Sequence, residues 1–193
     1  MQNILILGAN GGLAQSVIPV LLNETDAKLT LFLRNATRLK HLAGSRVDIV
    51  EGDVMDLSAL TAAMQDKTMV YANLSGNLKA MAENTVRAMD AAGVKRLVWI
   101  SSMGIYGETG ENHGAILEPY RQSAAVVEAS DLDYTVIRPA WFTNAKEVSY
   151  RLTMKGEPFQ GSQVSKRSIA DFIAKLVHEP ELYVRESVGI AKV

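Results

Sequence analysis

Apolar runs of about five residues alternate along the chain with longer stretches whose apolar positions recur every three or four residues. The runs NILIL (3–7), LTLFL (29–33), VDIVE (47–51), MVYANL (69–74), RLVWIS (96–101) and YTVIR (134–138) read as strands. Near-continuous apolarity, in place of strict alternation, marks strands covered on both faces. Helical patterns span 12–22, 36–42, 58–65, 78–92 and about 118–130, and Gly93 stands where the fourth should end. Strands alternating with helices of this length predict βαβ units with right-handed crossovers. The expected fold class is therefore α/β, a doubly wound parallel sheet in three layers. From about residue 139 the rhythm loosens. GEPFQGS (156–162) reads as loop, and SKRSIADFIAKLVHEP (165–180) as an amphipathic helix with Ser168 as candidate N-cap and Pro180 as stop.

Composition narrows this picture more than it changes it. The 193 residues suffice for one domain over 1–193, with 139–193 left to supply the substrate-side wall. A net charge of −1 gives no basic excess for nucleic acid. The absence of cysteine excludes disulfides and thiol nucleophiles. The N-terminal apolar run has no basic flank and is too short to span a bilayer, so the default compartment is the cytoplasm. His41, His113 and His178 lack metal-ligand spacing, and no metal is expected. A monomer or homodimer acting on a small molecule is the expected form.

The first strand runs into LILGANGGLAQS, which places Gly8, Gly11 and Ala14 at G-x-x-G-x-x-A spacing before a helix. A tight glycine turn lets backbone approach a pyrophosphate, and the helix N-terminus offers free N–H groups and a positive dipole end. Asn10, Gly12 and Leu13 complete the turn. At the end of the second strand, where an NAD site commonly carries an acid for the ribose diol, the chain has Arg34, with Arg38 one turn on. A guanidinium suits a 2′-phosphate, so NADP(H) is expected over NAD(H). The alternative is a solvated arginine.

With these residues in hand, the chain resembles the short-chain dehydrogenase/reductase superfamily. It is most similar to the atypical NAD(P)-binding branch holding NmrA-like and biliverdin reductase B-like proteins. GANGGLA matches that family's cofactor turn, although Leu7 stands where threonine is usual and Ala14 where many members have glycine. The resemblance implies a Rossmann-like fold and assigns further cofactor contacts. Asp53 and Val54 of EGDVMD would meet adenine; Asn73, Leu74 and Ser75 of YANLSG would border the ribose; Pro139, Ala140 and Trp141 of VIRPAWF would edge the nicotinamide. ISSMGIYG puts Ser102 at the family's catalytic serine, and SKRSIADFIAKLV resembles its late helix. Met103, Trp141 and Phe142 are candidate substrate contacts, with Tyr150 and Phe159 as further apolar walls. Plainer readings stay open: Asp53 caps a turn, Ser101 and Ser102 bond local backbone, and Trp141 and Phe142 are core.

The family's Tyr-x-x-x-Lys-x-x-x-Glu becomes Tyr120, Ala124 and Glu128, all on one helix face. In the family the lysine holds the nicotinamide ribose and lowers the tyrosine pKa. Arg121, about 100° round the helix, is no substitute. A free tyrosine, with a pKa of about 10, can still donate a proton at pH 7 but rarely accept one. The resemblance together with the missing lysine implies an NADP(H)-dependent reductase with Ser102 and Tyr120 catalytic. Acceptors needing little acid assistance, such as quinones, flavins or conjugated carbonyls, fit best. A non-catalytic NADP(H) sensor of the NmrA-like type is the rival. A transient-oxidation epimerase, which needs a reversible base, is disfavoured.

Overall fold

The computed structural model describes residues 1–111 and 114–193. His113 lies outside the described residues. In chain order the elements are β1 (Asn3–Leu7), α1 (Ala14–Glu24), β2 (Lys28–Leu33), β3 (Val47–Glu51), α2 (Leu57–Ala63), β4 (Met69–Ala72), α3 (Leu78–Ala92) and β5 (Arg96–Ile100). They continue with α4 (Glu118–Glu128), β6 (Asp133–Pro139), β7 (Trp141–Thr143), β8 (Arg151–Met154), β9 (Gln163–Ser165), α5 (Lys166–His178) and β10 (Glu186–Ala191). The main sheet runs β3-β2-β1-β4-β5-β6-β10-β8, parallel except for β8, and β7 pairs with β9 separately. This is a Rossmann-like α/β fold, as the apolar strand pattern implies.

Strand periodicity sorts the core into two layers. Ile4 and Ile6 of β1 pack with Val17, Leu21, Ile169 and Phe172, under α1 and α5. Leu5 and Leu7 face the other way, with Leu60, Ala82, Met89 and Ala124 under α2, α3 and α4. Chain order reverses at β1, where β2 and β4 lie on either side. The carboxyl ends of the strands around that switch point form the crevice in which such sheets take ligands.

Four expectations are corrected. The segment 36–42 is two 3-10 turns, Ala36–Arg38 and Lys40–Leu42, with Asn35 Oδ1 accepting from the Thr37 amide. The N-cap of the last helix is Ser165, whose hydroxyl accepts from the Ser168 amide at 2.9 Å. Residues after 139 form four strands, and β10 extends the main sheet. Tyr150 and Phe159 are structural. Tyr150 packs against Phe172, and the Phe159 ring lies where a Gly189 Cβ would come within 2.5 Å of it. Gly189 thus marks a close approach inside a strand.

Candidate active site

Two cavities open along the carboxyl ends of the strands. The first, ≈ 390 Å³, is bordered by Gly8, Asn10 and Gly11 after β1, Arg34 and Arg38 after β2, Asp53 and Val54 after β3, and Asn73, Leu74 and Ser75 after β4. Ten residues named from sequence for a dinucleotide thus share one cleft. Gly12 is exposed, and the Leu13 side chain is buried in the α1 layer, so only its backbone is available to a ligand.

The turn has little latitude. Gly8 has φ 73°, and a Cβ there would sit 2.1 Å from the Asn73 carbonyl oxygen. A Cβ on Gly11 would come within 2.9 Å of Asn73 Nδ2. Gly8→Ala combines left-handed strain with a backbone clash and should cost about 2–3 kcal/mol of stability, with loss of dinucleotide binding. Chemical denaturation and cofactor titration measure both; an unchanged affinity would exclude this turn as the binding element.

No acidic residue occupies the first turn of α1, and no side chain caps it. Lys166, the first residue of α5, brings its ammonium to within 3.9 Å of the position a Gly12 Cβ would take. Its hydrogen bond is to the neutral Asn144 Oδ1, at 3.0 Å. A cation at a helix N-terminus opposes the dipole, and here the ammonium lies beside the turn that opens α1. Nothing in the local sequence of Lys166 signals this, because α5 meets α1 only in the fold.

Arg34 and Arg38 are exposed and form no ion pair among the described residues. Their turn is pinned by Glu51, which accepts from the Ala36 amide at 2.8 Å, and by buried Leu39. Asp53 borders the cleft and also caps a turn, its Oδ1 accepting from the Met55 amide at 2.9 Å.

The second cavity, ≈ 370 Å³, lies at the ends of β5 and β6. Ser101, Ser102, Met103, Pro139 and Ala140 form one side, with Tyr120 and Leu117 from α4. Ile116, Trp141 and Phe142 also line it, at 79%, 68% and 46% exposure; the two aromatics are rim and not core. Pro139, Ala140 and Trp141 belong to this cavity and do not border the first. The Ser102 hydroxyl donates to the Met103 carbonyl at 3.1 Å. The Tyr120 hydroxyl has no hydrogen-bond partner among the described residues.

Ala124 is fully buried in the apolar layer under α4. Arg121 is committed elsewhere, donating to the Ile105 carbonyl at 2.9 Å and pairing with Glu118 at 2.5 Å. Glu128 accepts from Tyr106 Oη and from Lys155 Nζ, away from the cavity lining. Burial, then the bond to Glu128, pushes the Tyr106 phenol up, which keeps it a donor in that structural network. No cluster of three potential metal ligands occurs among the described residues, and none of their helices is long and apolar enough to cross a membrane.

The NAD(P)H-binding family matches residues 8–180. A Rossmann-fold NAD(P)-binding family protein from Shigella flexneri superposes with a TM-score of 0.90 at 39% identity, covering 100% of this chain and 94% of that one. A short-chain dehydrogenase/reductase from Veillonella parvula DSM 2008, in complex with NADP, gives a TM-score of 0.90 at 28% identity, covering 99% and 94%. Quinone oxidoreductase 2 of Escherichia coli (strain K12) is 24% identical over 195 residues, covering 93% of this chain and 67% of its own length.

Proposed function

The chain belongs to the NAD(P)H-binding family and to the atypical short-chain dehydrogenase/reductase superfamily, and from that premise we propose that it is an NADP(H)-dependent reductase of a small conjugated molecule. The observation that carries this reading is the shared placement of Tyr120 and Ser102 on one mostly apolar cavity at the ends of β5 and β6. At the same carboxyl edge of the sheet lies a cleft suited to a dinucleotide: a glycine turn packed on Asn73, and free arginines at the end of β2.

In this reading Arg34 and Arg38 hold a 2′-phosphate, and the amides after Gly11, with Lys166, neutralise the pyrophosphate. Asp53 and Val54 border the adenine, and Asn73 to Ser75 the ribose. The cofactor supplies the hydride. Ile116, Trp141 and Phe142 cover a flat acceptor, and Tyr120 delivers a proton to its oxygen or nitrogen. With Ala124 at the position the resemblance gives to lysine, reduction is favoured over alcohol oxidation. The same substitution favours the rival reading, a sensor that binds NADP(H) without turnover.

Consumption of NADPH at 340 nm with a panel of quinones, flavins, enones and aldehydes separates the two. Turnover of any acceptor supports the reductase; tight NADPH binding with no turnover supports the sensor. Cofactor preference has its own test. Wild type should bind NADPH more tightly than NADH by fluorescence titration. Arg34→Ala should lose about 10- to 100-fold for NADPH and little for NADH, as expected for a charge-assisted hydrogen bond. Equal affinities in the wild type would remove the arginine argument.

A further inference from the structure

The two serines that follow β5 are alike in sequence but not in the structure. Ser102 has its hydroxyl occupied by the neighbouring Met103 carbonyl. Ser101 is 4% exposed, and its Oγ is buried with no hydrogen-bond partner among the described residues. Its amide is fixed, donating to the Ile137 carbonyl at 2.8 Å. Strand alternation also separates the pair. Leu97 and Trp99 face the α4 layer, while Val98 and Ile100 face the α1 layer. Continuing the period puts Ser101 on the side of α4, the helix that carries Tyr120.

A buried hydroxyl without a partner is costly, and native proteins keep few of them. Local backbone, the usual recipient of a strand-end serine, does not take this one. What Ser101 does border is the second cavity, whose other lining is largely apolar: Leu117, Ile116, Trp141 and Phe142. A rotation about one side-chain torsion is all that turns a serine hydroxyl from one staggered position to another.

We propose that Ser101 is the group that hydrogen-bonds the polar edge of the acceptor in this cavity, positioning its reacting oxygen or nitrogen toward Tyr120. Ser102 lines the same cavity, with its hydroxyl already donating to the Met103 carbonyl. The proposal deepens the reductase reading and rests on it for the identity of the ligand. The ligand class is a flat, mostly apolar molecule with a hydrogen-bonding carbonyl or ring nitrogen at one edge.

The experiment compares wild type, Ser101→Ala, Ser101→Thr and Ser102→Ala, using menadione and flavin mononucleotide as probes. Three quantities are read: thermal midpoint without ligands, NADPH affinity, and probe turnover together with probe binding to the NADP⁺ complex. Ser101→Ala should raise the ligand-free midpoint by about 2 °C, because it removes an unpaired hydroxyl. It should lower kcat/KM or probe affinity about tenfold, while NADPH affinity stays within twofold. Ser101→Thr, which restores the hydroxyl, should recover most of that loss. Ser102→Ala should lower the midpoint and affect the probes less.

If Ser101→Ala handles a probe that the wild type accepts just as well, Ser101 is not a ligand contact, and the reductase reading stands without it. If the wild type binds a probe but does not reduce it, and Ser101→Ala loses that binding, Ser101 stands and reduction fails. A lower midpoint in Ser101→Ala, or a wild type that neither binds nor reduces either probe, overturns the proposal.

Discussion

Glu108→Ala should lower the thermal midpoint by about 10 °C, a loss of about 3–5 kcal/mol, which is the usual consequence of leaving a buried charge without its partner. The charge left behind is Arg138, whose side chain is fully buried while that of Glu108 is 6% exposed. Arg138 donates to the Thr153 carbonyl at 3.1 Å and to the hydroxyl and carbonyl of Ser187 at 3.1 and 3.2 Å. It thereby ties β6 to β10 and β8. Glu108 accepts from the Gly104 and Tyr106 amides at 3.0 and 2.9 Å, which fixes the loop leaving β5. Breaking the pair therefore loosens one wall of the second cavity as well as the sheet edge. Replacing both partners, as in Glu108→Leu with Arg138→Met, should recover part of the loss, because an apolar pair leaves nothing unsatisfied.

The same pair sets a pH dependence. Burial alone would raise the Glu108 carboxyl, but its backbone N–H donors and the Arg138 guanidinium outweigh that and hold it below the ordinary glutamate value. A carboxyl depressed in the folded state contributes stability that is complete above its unfolded pKa. That stability is lost as pH falls through the folded value. Wild type should thus lose stability below about pH 4.3. Glu108→Gln should start less stable and show a shallower acid limb. Thermal melts from pH 3 to 7 measure both; parallel limbs would show that the pair is not the titrating element.

How far the chain could be read in advance follows from how its segments are buried. The strands β1, β2, β4, β5 and β6 are covered on both faces, so each announces itself as an apolar run, while β3, at the sheet edge, is only partly buried; α3 ends at Gly93, with φ 74°, as its spacing implies. The residues past 139 carry no such signal. β7 and β9 are three residues long, and β10 contains a glycine whose reason, the Phe159 ring, lies thirty positions away. Contacts within one strand-to-helix turn were legible at the site, which is why Gly8, Gly11, Arg34 and Asp53 border one cleft. Contacts made by distant segments were not. Lys166 reaches the glycine turn from another helix, and the Arg138–Glu108 pair is invisible in a motif read simply as R-P-x-x-F. Whether a hydroxyl is free, as in Ser101, or occupied, as in Ser102, is decided by strand register and loop path.

Tyr120→Phe should lower kcat for an enone or aldehyde acceptor by about 100-fold, the lower end of what a positioned general acid contributes. The loss should be smaller for flavins and quinones, whose reduced forms need less acid assistance. NADPH affinity should stay within twofold, since the first cavity does not include Tyr120. Stability should barely move, because the phenol oxygen bonds no other described residue. Ala124 stands, by its spacing from Tyr120, where the resemblance puts the family's lysine, and its side chain is fully buried with Val127, Leu132 and Val136. An ammonium placed there would have to enter this apolar layer, so the packing under α4 itself disfavours the lysine. Arg121 is tied to Ile105 and Glu118 and cannot stand in without breaking both contacts. Tyr120 then stands at the edge of a mostly apolar cavity, its hydroxyl without a hydrogen-bond partner among the described residues. Equal turnover by wild type and Tyr120→Phe on every accepted substrate would show that the proton comes from elsewhere. In that case the helix keeps its tyrosine for packing against the loop above the cavity.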